Sequence, residues 1–123
     1  MGLLDKLRPR TEQQLTGQAG EDQALAYLKK QGLALLERNF RCKGGEIDLI
    51  MQERGMLVFV EVRKRAQTYH GGAAASVTTA KQKRLIVAAQ LYLMRYKMPP
   101  PCRMDVVAID GADLIWLKNA IEA

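Results

Sequence analysis

Apolar residues recur along this chain in two rhythms, a helical one and a strand-like one, and the two take turns. In residues 17–31, Ala24, Leu25 and Leu28 share one helical stripe and Gly32 supplies a stop, so a first helix is predicted there. Residues 33–40 fit a strand, followed by a loop, RCKGG. The β-prone runs 47–51 and 57–62 flank Arg54-Gly55 and predict a hairpin with a tight turn. A second helix is predicted over residues 77–96, with Ser76, Thr78 or Thr79 as its cap. Its later half is apolar nearly all round, which predicts deep burial, and Tyr92 reads as core. The prolines at 99–101 end it. Residues 103–109 and 114–117 read as two more strands, turning at Asp110-Gly111, with Trp116 in the core. The order α-β-β-β-α-β-β defines an α/β domain with a mixed central sheet flanked by helices. Residues 1–16 read as an N-terminal tail, residues 17–123 as a single domain, and residues 66–76 as a small-residue loop that carries the sole histidine, His70.

Acids interrupt the greasiest part of this pattern. Along a strand, side chains alternate between faces, so Glu46, Asp48 and Ile50 share one face. Phe59, Glu61, Arg63 and Arg65 share a face of the next strand. A two-residue loop at Arg54-Gly55 would set Asp48 directly opposite Glu61, and Glu46 opposite Arg63. Like charges directly opposed destabilise a sheet. A hard divalent cation between the two carboxylates, Mg²⁺ or Mn²⁺, would resolve the conflict. Arg63 would then stabilise charge on a phosphate under attack. A solvated ladder of ion pairs is the plainer alternative. Glu21 lies on the apolar stripe of the first helix, where it would complete the metal's shell or simply favour the helix dipole. Lys81 and Arg84, three residues apart, share a face near the start of the second helix and suit a phosphate, while Lys83 is rotated away.

Charge adds a partner class to this picture. The net charge is +6, and residues 29–97 hold 14 Lys/Arg against 5 Asp/Glu. A basic middle suits a polyanion such as nucleic acid, or serves solubility alone. Aromatic residues make up 6%, too few for a single-strand stacking platform. No apolar run reaches the length of a membrane span, and the start, MGLLDKLRPR, has no signal-peptide core. Cys42 and Cys102 are too few for a disulfide framework or a zinc site, so a reduced, cytoplasmic setting is expected.

Taken together, Gly20-Glu21, NFRCKGGEIDLI, VFVEVRKR, SVTTAKQKRL, RMDVV and the closing Asn119-Ala120 resemble the YraN family. These are small bacterial proteins similar to archaeal Holliday-junction resolvases, and the resemblance spans residues 17–120. It implies the restriction-endonuclease-like PD-(D/E)xK fold and a Mg²⁺-dependent endonuclease acting on branched or structured DNA. It also implies a homodimer, since symmetric cutting needs two sites. Asp48 and Glu61 match the acids of the nuclease motif, and Glu21 matches the helix-borne glutamate of junction resolvases. Arg65, Lys81 and Arg84 would contact DNA. Arg63 stands where the motif has lysine, and an arginine does not shed a proton to activate water. Two functions therefore stay open: an endonuclease, or a nuclease-fold protein that binds or scaffolds DNA without cutting it. A protein-interaction module with a merely solubilising basic face is a third reading.

Overall fold

The two rhythms resolve into seven elements in the computed structural model, which describes residues 12–65 and 77–122. They are α1 (Glu12–Lys30), β1 (Ala34–Cys42), β2 (Gly45–Glu53), β3 (Met56–Arg65), α2 (Thr79–Leu93), β4 (Cys102–Asp110) and β5 (Asp113–Leu117). The element order is the one predicted. Helix α1 starts at Glu12, ahead of the predicted Gly17. The RCKGG segment is no open loop: Cys42 pairs with Gly45, leaving only Lys43 and Gly44 to turn. Thr78 caps α2 by accepting from the Lys81 backbone N–H at 3.3 Å. Residues 66–76, with the predicted loop and His70, lie outside the described residues.

The five strands form one sheet in the order β1-β2-β3-β4-β5. Arg54 and Gly55 both have positive φ, 50° and 82°, the backbone of a two-residue turn whose twist suits antiparallel strands. It pairs Glu53 with Met56 and Leu49 with Val60, the register the two-residue loop requires. Strands β3 and β4 are parallel, because the chain crosses back through α2 between them. The other neighbours are antiparallel, so the sheet is mixed. At the last hairpin Asp110 pairs with Asp113, which moves the turn to Gly111-Ala112.

Alternation along the strands builds two cores on opposite faces. Ala24 and Leu28 of α1 pack with Leu49, Met51, Val58, Val60, Val107 and Ile109. Leu85, Ala88, Ala89 and Tyr92 of α2 pack with Ile47, Ile50, Leu57, Phe59 and Val106. Each such large apolar side chain, once fully buried, contributes about 1.5–3 kcal/mol. Helix α2 is less buried than its composition predicts. It meets the sheet along one stripe, so Val87 and Leu91 stay exposed. Tyr92 is buried as expected, whereas Trp116 is only partly covered.

Two glycines set how closely the helices approach. A side-chain carbon at Gly45 would collide with the Arg84 carbonyl, so glycine there lets α2 settle onto the start of β2. One at buried Gly20 would lie 3.1 Å from the Lys64 Cβ. Its absence lets α1 lie against β3, with Glu21 next in sequence.

Candidate active site

Strands β2 and β3 part company at the acids. Their pairing runs from Glu53–Met56 to Leu49–Val60. Beyond that point β2 stays with β1 through Ile47–Phe40 and Glu46–Arg41. Strand β3 stays with β4, Glu61 lying beside Val106 and Arg63 beside Ala108. Asp48 stands at this fork. Its carboxylate accepts from the Val62 backbone N–H at 2.8 Å, doing what a β2 carbonyl would do in an unbroken ladder.

The predicted cross-strand pairs therefore need correcting. Asp48 does not face Glu61 across a regular ladder, and Glu46 does not pair with Arg63. Ile47 and Ile50 both pack on the α2 side, so strict alternation breaks down at Asp48. The two acids meet through their side chains, which hydrogen-bond to each other. Glu46 approaches Arg84 instead, at 3.9 Å.

Glu61 is 8% exposed. Burial, then the charge of Asp48 and the hydrogen bond to it, push its carboxyl up to about 9, against the pull of Arg63 and Lys81. At neutral pH the Glu61 carboxyl thus keeps its proton and donates it to Asp48. Glu21, from α1, also sits above the ordinary carboxylate range, through burial first and the charge of Asp48 second. Arg38 and Asn39 oppose that rise. The Arg38 Nη2 lies 3.5 Å from Glu21 and 2.8 Å from Asp22. Asn39, with its amide turned to donate, reaches both Glu21 oxygens at 3.2 and 3.3 Å.

A cationic wall faces the acids. Arg63, Lys81 and Arg84 line one open recess with Glu46 and Glu61. Lys83 does not line it, in keeping with its predicted rotation away, and is exposed. Arg65 continues β3 beside Asp110, but its side chain lies outside the described residues.

The donor set suits a hard divalent ion. Two touching carboxylates, one neutral only because its surroundings force it to be, would both ionise against such a charge. Mg²⁺ is commonly held by one or two carboxylates, with water and phosphate oxygens completing its shell. Among the described residues no three acidic, histidine or cysteine side chains form a closed metal group. Asp48 and Glu61, the two carboxyls in contact, are the candidate direct ligands, and Glu21 feels the charge of Asp48 from α1.

Sequence reasoning missed the supports. Arg38 and Asn39 sit in a stretch read only as a strand, although Asn is, after glycine, among the residues most at ease in a left-handed backbone. It also missed Asp105, which is fully buried. Asp105 accepts from Arg103 Nε at 3.1 Å to each oxygen, from Trp116 Nε1 at 2.9 Å and from the Asn119 N–H at 2.8 Å. Arg103 in turn pairs with Glu53 at 3.1 Å. The Arg-x-Asp spacing on one strand face was the available signal.

Fold and site together define an α/β protein whose mixed sheet forks around a carboxylate cluster. Residues 20–109 match an uncharacterised protein family, UPF0102, and the chain belongs to it; this is the YraN family. A UPF0102 protein of Janthinobacterium sp. (strain Marseille) is 73% identical over 95% of both chains. One from Herminiimonas arsenicoxydans is 72% identical over 94% of both. A UPF0102 protein of Acidovorax sp. (strain JS42) is 53% identical over 100% of this chain and 99% of its own. Among the described residues no helix is long and apolar enough to cross a membrane.

Proposed function

We propose that this protein is a Mg²⁺- or Mn²⁺-dependent DNA endonuclease of the PD-(D/E)xK type, acting on branched or structured DNA. The observation that carries the reading is the contact between Asp48 and Glu61 beside a recess walled by Arg63, Lys81 and Arg84. Asp48 and Glu61 would hold the ion, and Glu21 would orient its outer shell. When bound, such an ion supplies Lewis-acid charge compensation and eases deprotonation of water. Arg63 offers a planar guanidinium to a phosphate beside Glu61. Lys81 and Arg84 neutralise neighbouring phosphates from the start of α2. Two copies would be needed to cut a symmetric junction. Two free thiols, Cys42 and Cys102, suit a reduced cytoplasmic setting.

Arg63 also favours a second reading, a nuclease-fold protein that binds DNA without cutting, because arginine holds its proton. Labelled duplex, flap, fork and four-way DNA, each incubated with Mg²⁺ and with Mn²⁺, separates the two. The endonuclease reading expects cleavage by the parent, lost in Asp48→Asn while DNA binding persists. Tight binding with no cleavage under either metal would transfer the case to the second reading. Absence of DNA binding altogether would sink both.

A further inference from the structure

Glu21 reaches the cluster from a helix, and the strand residue that receives it is Asn39. Its φ is 52°, a left-handed backbone uncommon outside glycine and best tolerated by Asn and Asp. Arg38 pairs with Leu49 and Phe40 with Ile47, yet Asn39 and Asp48 between them do not pair. Arg38 reaches α1 through Asp22 and Glu21. Alternation would send the next side chain to the opposite face, towards α2. The left-handed turn instead brings the Asn39 amide to the Glu21 carboxylate, 3.2 and 3.3 Å from its two oxygens.

Burial of its own side chain does not explain this conformation, because Asn39 is exposed. Backbone strain and a lost ladder pair at an exposed residue cluster where a site demands them. Arg38 does not do the same work. Its shorter contact is to Asp22, and its Nε is buried without a hydrogen-bond partner. Arg38 supplies charge, whereas Asn39 supplies two aimed donor contacts.

We propose that Asn39 is a positioning residue for the carboxylate cluster: its left-handed backbone and its amide together aim Glu21 at Asp48 and Glu61, as the outer carboxylate of a divalent-cation site. The cation belongs to the function proposed above; the hold of Asn39 on Glu21 does not depend on it.

Two variants separate backbone from amide. Asn39→Gly keeps the left-handed backbone and removes the donor. Asn39→Asp keeps size and shape but sets a carboxylate against Glu21. Calorimetric titration with Mn²⁺, with Asp48→Asn as the ligand-loss control, should show affinity about tenfold weaker in Asn39→Gly and weaker still in Asn39→Asp. Thermal midpoints, measured alongside, should stay close to that of the parent in Asn39→Gly. The contact itself is read by NMR: the Asn39 side-chain amide protons should exchange slowly with water in the parent and quickly in Glu21→Ala. Parent-like Mn²⁺ affinity in Asn39→Gly, with loss in Asp48→Asn, overturns the positioning role and leaves the metal site standing. Identical amide exchange in the parent and Glu21→Ala overturns the contact. A parent that binds no Mn²⁺ overturns the metal site and the cation half of this proposal together, while the amide exchange still decides the contact.

Discussion

Asp105 and Glu61 stand on adjacent strands, one register step apart: Val60 lies beside Asp105, and Glu61 beside Val106. Both side chains are buried acids, on opposite faces of the sheet. On the α1 face, each Asp105 oxygen accepts from the guanidinium of Arg103, and Trp116 and the Asn119 backbone add a donor each. On the α2 face, Glu61 meets a second carboxylate and is held protonated. The same sheet thus satisfies one buried acid fully and sets the other against its like. A buried acid with all its donors ties the chain together; here it pins β4 to β5 and to the C-terminal residues, where Ala120 also bonds to Met104. A buried acid facing an acid lowers stability, and such arrangements concentrate where a ligand completes them.

The contrast breaks first at Asp105. Asp105→Ala strips the donors of Arg103, Trp116 and Asn119 of a common acceptor. Removing one member of a buried ion pair typically costs about 3–5 kcal/mol. Urea unfolding should register a loss of that order, with the slope unchanged if the unfolded state is unaffected. A loss below about 1 kcal/mol, no more than an ordinary solvated pair is worth, would erase the distinction between the two acids.

Glu61→Gln should act in the opposite direction. The folded chain keeps the Glu61 proton up to about pH 9, whereas the ordinary value is 4.5. Between those limits the folded state binds more protons than the unfolded state, so stability falls as pH rises through the window. A neutral glutamine removes that loss. In metal-free buffer the variant should match the parent near pH 4.5 and gain on it towards pH 8 by up to about 1.4 kcal/mol per pH unit. Thermal unfolding at several pH values is the measurement. A gain that is flat with pH would mean that Glu61 is not the strained member of the pair.

Which parts of this contrast could be read from the sequence follows from the range of the forces involved. The hairpin register was legible because a two-residue turn at Arg54-Gly55 leaves little choice. That Asp48 and Glu61 come together was legible for the same reason. How they come together was not, because extrapolating the register assumes an unbroken ladder. The Val62–Asp48 hydrogen bond takes its place beyond Leu49–Val60. The exposure of Val87 and Leu91 was hidden too: composition says that a helix is apolar but not how many layers cover it. Asp105 stood in the RMDVV motif without a role, since two of its three donor residues, Trp116 and Asn119, reach it only through tertiary packing.

The smallest expected effect bears on the cations. Those beside Glu61 line an open recess, whereas Arg103, beside Asp105, has a guanidinium already engaged by two acids. Of the two groups, the first borders the open recess on which the proposed DNA reading rests. Lys81 is close enough to lower the proton affinity of Glu61, while Arg84 is half exposed and leans towards Glu46. If these residues contact phosphates, Lys81→Ala should weaken DNA binding several-fold for any sequence and lower the salt slope by about 1. Arg84→Ala should do the same more weakly, because Glu46 already neutralises part of its charge. Lys83→Ala removes an equal charge outside the recess and should change the slope least. Fluorescence anisotropy with one duplex and one four-way junction, titrated from low to physiological salt, measures all three. Equal slopes for Lys81→Ala and Lys83→Ala would mean that DNA senses only the general positive charge of α2, and the recess beside Glu61 would lose its claim to be a phosphate site.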